Sequence, residues 1–303
     1  MVVIVVAVAL LLTTASTAFP TADEAEPAAT EQYTLPEPGV CGVNLADRIL
    51  GGTKTAINAY PWTALLVVEP RAGGSESFAC GGSLISDRFV LTAAHCFREL
   101  PDWVHVVRVR LGEWDLKSEE DCNDDNLCTD KPVDVDVGSY VVHEGYDSKN
   151  IHNDVALIKL AKPVTFSEFI SPVCLPLTEE LQNQTIDGKH FTVIGWGTTE
   201  RGQEAPGVYG SRYKLEVDVH GADSETCHAV YPELKDSELC AGGEAGKDSC
   251  QGDSGGCLVA PESDGYWYQY GVVSWGLGCG NQGVPGVYAR VSSFVDWIKK
   301  HMK

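Results

Sequence analysis

Apolar and charged side chains alternate within His105–Leu111, with Val at 107 and 109 against Arg at 108 and 110. Val133, Val135 and Val137 alternate with aspartates in the same way. A period of two sends successive side chains to opposite faces, so each run predicts a strand with one wet face. Other β-type runs are Trp62–Val68, Arg88–Ala93, Phe191–Trp196, Tyr213–Val219, Tyr266–Trp275 and Gly286–Val291. Short strands separated by turn signals predict an all-β barrel or sandwich, and spacing alone does not choose between the two. Near the end, Phe294, Trp297, Ile298 and His301 share one face at helical spacing. They predict a C-terminal helix with Ser292 or Ser293 as its cap.

Val2–Leu12 is an unbroken apolar run followed by small residues up to Ala18. Residues 1–18 read as a secretory signal peptide, shorter than the ~20 residues of a membrane span. Eleven cysteines fit an oxidising compartment, so the mature chain is expected outside the cell without a membrane span. From residue 19 to about 40, Ala, Glu, Pro and Thr dominate. Such a segment buries too little apolar surface to offset its ordering entropy and reads as a flexible propeptide. A net charge of −21 argues against nucleic-acid binding, which needs a basic footprint.

Three strings carry chemistry. Asp248-Ser249-Cys250-Gln251-Gly252-Asp253-Ser254-Gly255-Gly256 sets a serine among glycines, which let backbone N–H groups approach a carbonyl. A serine hydroxyl alone is a poor nucleophile and needs a base from elsewhere. Leu91-Thr92-Ala93-Ala94-His95-Cys96 and Asn153-Asp154-Val155-Ala156-Leu157 offer a base and a carboxylate. Together these strings resemble the chymotrypsin-like, trypsin-type serine proteases, in the chain order His, Asp, Ser. The resemblance implies two packed antiparallel β-barrels and a triad of Ser254 nucleophile, His95 base and orienting Asp154. It also implies an oxyanion hole from the N–H groups of Gly252 and Ser254. Ser274 matches the family serine that hydrogen-bonds the triad aspartate beside the substrate.

The resemblance extends to specificity and activation. Asp248 takes the position at the floor of the primary pocket, where an aspartate selects Arg or Lys. Ser249 offers a hydroxyl to a Lys ammonium, and Gly276 and Gly286 are the expected walls. Arg48 before Ile49-Leu50-Gly51-Gly52 is similar to the family's activation site, with Leu50 in place of the usual Val. Residues 19–48 are then the propeptide or light chain, and 49–303 the protease domain. Cleavage frees an α-amine of pKa about 7.7–8.0, which the family pairs with the aspartate before the serine, here Asp253. Breaking such a buried pair costs about 3–5 kcal/mol, enough to gate a loop.

Connectivity is not deducible from cysteine spacing. The resemblance pairs Cys80 with Cys96, Cys227 with Cys240, Cys250 with Cys279, and Cys41 with Cys174, and it leaves Cys122 with Cys128 as a local pair. The unpaired Cys257 reads as a buried inert thiol or as an intermolecular disulfide. Leu111-Gly112-Glu113-Trp114-Asp115 and the acidic loop after it resemble the catalytic domains of arthropod clip-domain proteases, the easter-like and prophenoloxidase-activating type. That implies an extracellular zymogen cascade, with a protein substrate, another zymogen being one candidate, an upstream activating protease and a serpin-type inhibitor as partners. A clip domain needs six further cysteines upstream of Cys41, and none stands there. A clip-less relative and a truncated chain are the two explanations. Catalysis is expected to need no cofactor. Glu113, Asp115 and Glu120 lie where related proteases bind calcium, and oxygen ligands suit that ion; a solvated acidic turn is the alternative. Asn183-Gln184-Thr185 is a glycosylation sequon. A digestive trypsin and a non-catalytic binding homologue are the competing functions.

Overall fold

The alternating runs become antiparallel strands, each too short to bury a face alone, and they close on one another. The computed structural model describes residues 33–45, 53–198, 210–245 and 252–303. The first half carries strands β1 (Thr53–Lys54), β2 (Thr63–Pro70), β3 (Ser77–Leu84), β4 (Phe89–Thr92), β5 (Val104–Leu111), β6 (Val133–Val142) and β7 (Ala156–Leu160). The second carries β8 (His190–Gly195), β9 (Leu215–His220), β10 (Glu238–Gly242), β11 (Cys257–Pro261), β12 (Trp267–Trp275) and β13 (Pro285–Arg290). Strands β2–β7 form a closed barrel in the order β2-β3-β4-β7-β6-β5. The rest form a sheet in the order β1-β9-β8-β11-β12-β13-β10. It curls into a second barrel-like layer because Gly221, just after β9, bridges Ala241 of β10. The architecture is the expected pair of antiparallel barrels.

Both barrels are filled by inward-facing apolar residues. Leu66 on β2, fully buried, pairs with Cys80 on β3 and Val109 on β5. Gly82 leaves room for it, since a Cβ there would stand 2.8 Å from Val90 and 3.3 Å from Leu66. Strand β5 departs from strict alternation. Val106, Val109 and Leu111 are buried while Val107 is half-buried. Pairing with β2 jumps from Val67↔Arg108 to Val68↔Val106, so Val107 is the extra residue of a β-bulge and leaves the face expected for it.

Among the described residues the helices are α1 (His95–Arg98), α2 (Glu179–Gln182) and α3 (Ser224–Val230) between strands, and α4 (Val295–His301) after the last one. The predicted caps of α4 are displaced. Ser292 and Ser293 lie inside a 3₁₀ turn, Val291–Phe294, and Phe294 takes the cap position without a side-chain bond. Phe294 and Ile298 are buried, and Trp297 donates to Glu144 at 2.8 Å. Among the described residues no helix is long and apolar enough to cross a membrane.

Residues 33–45, partly read from composition as flexible, lie against the barrels. Tyr33 packs edge-on to Phe89 at 5.1 Å, and Gly42 N–H donates to Pro172 O at 2.8 Å. Disulfides join Cys41–Cys174, Cys80–Cys96, Cys122–Cys128 and Cys227–Cys240. Cys279 is also disulfide-bonded; Cys250, its expected partner, lies outside the described residues. Cys257 is a free thiol with no exposed surface, so an intermolecular disulfide would require opening the core. Burial pushes that thiol up to about 11, away from the reactive thiolate. Leu66→Ala should empty a closed part of the barrel and cost about 2–5 kcal/mol, read as a lowered denaturation midpoint.

Candidate active site

The first barrel holds a histidine and an aspartate on adjacent strand ends. His95 opens α1, two residues past the fully buried Ala93. Asp154, 1% exposed, precedes β7, which pairs with β4. Its Oδ1 accepts from His95 N–H at 2.8 Å and its Oδ2 from His95 Nδ1 at 2.7 Å. Ser274 Oγ, on β12 of the second barrel, donates to the same Oδ2 at 2.5 Å. The carboxylate thus fixes the tautomer, with hydrogen on Nδ1 and a lone pair on Nε2. Burial works to lower the His95 pKa, but the Asp154 hydrogen bond and charge, helped by Glu99, more than offset it and raise it overall.

The serine sits on a glycine-rich turn between the barrels. Ser254 is half-buried, and its carbonyl accepts from Gly81 N–H of β3 at 2.8 Å. No hydrogen bond joins Ser254 Oγ to His95 Nε2 among the described residues; such contacts often tighten only when substrate is bound. Gly252 and Gly255 have φ of 103° and 78°, a left-handed region that glycine adopts without steric cost. A Cβ on Gly255 would also stand 2.3 Å from Thr92 Oγ1. Gly255 and Gly256 N–H groups are bonded to Val273 O and Asp253 O. Those of Gly252 and Ser254 have no acceptor among the described residues.

Two residues that sequence reasoning passed over support this turn. Asp253 Oδ1 accepts from Gly197 N–H at 2.8 Å. A Cβ on Gly195 or Gly197 would lie 2.1 or 2.2 Å from the Asp253 carboxylate. The Gly195-Trp196-Gly197 string was the available signal: a glycine on each side of a buried tryptophan marks a close approach. On the pocket side, Gly276 and Gly286 face each other, with a Cβ on Gly276 lying 3.7 Å from Gly286 Cα. Asp248, Ser249, Arg48 and Ile49 lie outside the described residues.

The expected calcium ligands are not brought together. Glu113 and Asp115 are buried, but Glu120 is exposed. Arg212 takes both Asp115 oxygens at 2.6 Å, and Arg110 reaches Glu113 at 3.2 Å. The acid beside Glu113 is Asp121, which accepts from Trp114 and Asp115 N–H and from Ser118 Oγ. Burial, then the Asp121 charge, pushes Glu113 up to about 7. Arg212 and Arg110 already occupy Asp115 and Glu113 while Glu120 faces solvent, so the three residues do not fit a calcium site. Among the described residues the metal-spaced group is Cys80, His95 and Cys96, and its sulfurs are joined in a disulfide. Asn183 is exposed just past α2, with Gln184 beside it held by Tyr270 and Lys189.

The trypsin family model matches residues 49–298. CLIP domain-containing serine protease B4 of Anopheles gambiae is 45% identical over 276 residues, spanning 89% of this chain and 74% of that protein. Phenoloxidase-activating factor 3 of Holotrichia diomphalia is 41% identical over 280 residues, spanning 89% and 76%. The crystal structure of the Drosophila Grass clip serine protease of the Toll pathway superposes with a TM-score of 0.73 at 37% identity, over 86% of this chain and 74% of that one.

Two outcomes follow for this geometry. A base must be neutral to accept a proton, so activity falls as pH drops through the His95 pKa, above the ordinary value of about 6.5. Glu99→Gln removes one raising charge and should move the acidic limb of kcat/KM to lower pH. Gly197→Ala should displace the Asp253 carboxylate and lower kcat by about 10²–10³, as for loss of an oxyanion-hole donor.

Proposed function

The chain belongs to the trypsin family, and we propose that it is secreted as a zymogen, cut after Arg48, and then cleaves proteins after Arg or Lys in an extracellular cascade. It is a trypsin-like serine endopeptidase related to insect clip-domain proteases. The observation that carries the catalytic assignment is the buried Asp154, which binds His95 twice and Ser274 once. Ser254 stands on the neighbouring turn, tied by its carbonyl to Gly81.

In the proposed reaction, Ser254 Oγ attacks the substrate carbonyl carbon while His95 Nε2 takes the hydroxyl proton. The carbonyl electrons move onto oxygen, which the Gly252 and Ser254 N–H groups bind. His95 then gives the proton to the leaving amine as the peptide C–N bond breaks. Water, activated by the same imidazole, releases the acid product and restores the serine. Protein groups and water complete the cycle. Asp248 pairs with the substrate cation, Ser249 assists a Lys, and Gly276 and Gly286 leave room for the long side chain. The new amine of Ile49 pairs with Asp253 and orders the oxyanion turn.

The cascade role draws on the named relatives, one a phenoloxidase-activating factor and one a protease of the Toll pathway. A protein substrate, for which another zymogen is one candidate, an upstream protease cutting at Arg48 and a serpin-type inhibitor are the implied partners. The Cys41–Cys174 disulfide supports this reading over a digestive trypsin, because it would keep a cleaved light chain attached. Asn183, exposed within its sequon, is proposed to carry glycan. The chain cleaved at Arg48 should hydrolyse Arg and Lys peptides and take a fluorophosphonate label on Ser254. Preference for Phe would overturn the pocket assignment, and absence of label would favour a non-catalytic homologue.

A further inference from the structure

We propose that His152 is a positioning residue of this active site, and that its contact with Glu238 docks the Asp154-bearing loop of the first barrel onto the second. The inference rests on the protease reading above. His152 Nδ1 lies 3.1 and 3.2 Å from the two carboxylate oxygens of Glu238, 86 residues away in sequence. Both residues are buried, 9% and 3% exposed. With Nδ1 donating, the contact satisfies a ring and a carboxylate that water scarcely reaches.

Glu238 is held firmly. It begins β10, where it pairs with Ala289 of β13, and its carbonyl accepts from Arg290 at 3.1 Å. Its carboxylate also accepts from Lys235 N–H at 2.8 Å. The loop that it grips is the opposite case. Ile151 and Asn153, the residues flanking His152, have φ of 55° and 54°. A left-handed conformation is an outlier for β-branched isoleucine. Two such residues in three persist only where the surroundings over-determine them. Asn153 Nδ2 donates to Gly145 O at 2.8 Å and Asp147 N–H to His152 O at 3.0 Å, but both bonds stay within the loop.

Outside contacts include Tyr146 to Glu99, Glu144 to Trp297 and Asp154 to His95, and the strands of the second barrel add His152 to Glu238 and Asp154 to Ser274. The second barrel therefore holds this loop at two points two residues apart, one on β10 and one on β12. With one point lost, Ile151 and Asn153 can relax, and Asp154 moves with the backbone that carries it. His95 follows, since both of its bonds to Asp154 depend on that carboxylate. Ser254 stands outside this loop, on the turn before β11, so the error falls on the His–Ser alignment.

The test uses the full chain cleaved at Arg48 and compares Glu238→Ala with Glu238→Gln, whose amide oxygen still accepts from His152. Folding is checked by circular dichroism and kinetics are read on an Arg peptide substrate. Glu238→Ala should lose about 10–10² in kcat, as for a reacting group misplaced by about 1 Å, with KM little changed. Glu238→Gln should recover to within about threefold of wild type. Unchanged kcat in Glu238→Ala, an equal loss in Glu238→Gln, or a loss confined to KM would overturn the proposal. Should Glu238→Ala fail to fold, His152→Leu against His152→Asn makes the same comparison from the other side, because the Asn amide keeps a donor. An inactive cleaved wild type would sink the protease reading itself, which separates that failure from failure of the docking contact.

Discussion

A buried carboxylate must be surrounded by donors or it will not stay buried, and Asp154 at 1% exposure obeys that demand. Its donors come from both halves of the molecule: His95 through backbone and ring, and Ser274 from β12. Neither barrel alone completes the set. The barrels must therefore meet at one relative placement, and the Ser254–Gly81 bond reinforces it from the other side of the cleft. Removing one partner from such a buried pair typically costs about 3–5 kcal/mol, so placement of the barrels and chemistry of the imidazole are set by the same contacts.

Glycine has the complementary task of bringing backbone close. Gly81, Gly255 and Gly256 let the serine turn pass against β3, and Gly195 and Gly197 leave the space that the Asp253 carboxylate fills. A methyl group at any of these five would meet an atom within 3.2 Å. The turn is thus wedged from both sides. That rigidity is what preorganised donors need, because a transition state gains little from groups that must move to meet it.

Much of the site was legible because its chemistry restricts residue types: a base, an acid and a hydroxyl in known strings, each now seen on a strand end or tight turn. The strands were legible where one face is wet, as in Val133–Val137. They were not where small residues and burial on both sides erase alternation, as in β3, with Cys80-Gly81-Gly82-Ser83, and in the fully buried start of β11. The bulge at Val107 depends on a partner strand some forty residues away, so no local pattern reports it. The same limit applied to the acidic loop. The family resemblance pointed to Glu120, but chain geometry turned Asp121 inward and set two arginines, one of them from beyond residue 200, against Glu113 and Asp115.

Cys257 has a consequence of a different kind. It is the one free thiol among the described residues, it has no exposed surface, and it belongs to the core cluster that also holds Trp62 and Val259. A sulfhydryl reagent reaches it only when the interior opens, so its modification rate counts those openings. The protein thereby carries its own clock for cooperative unfolding, readable without an engineered cysteine.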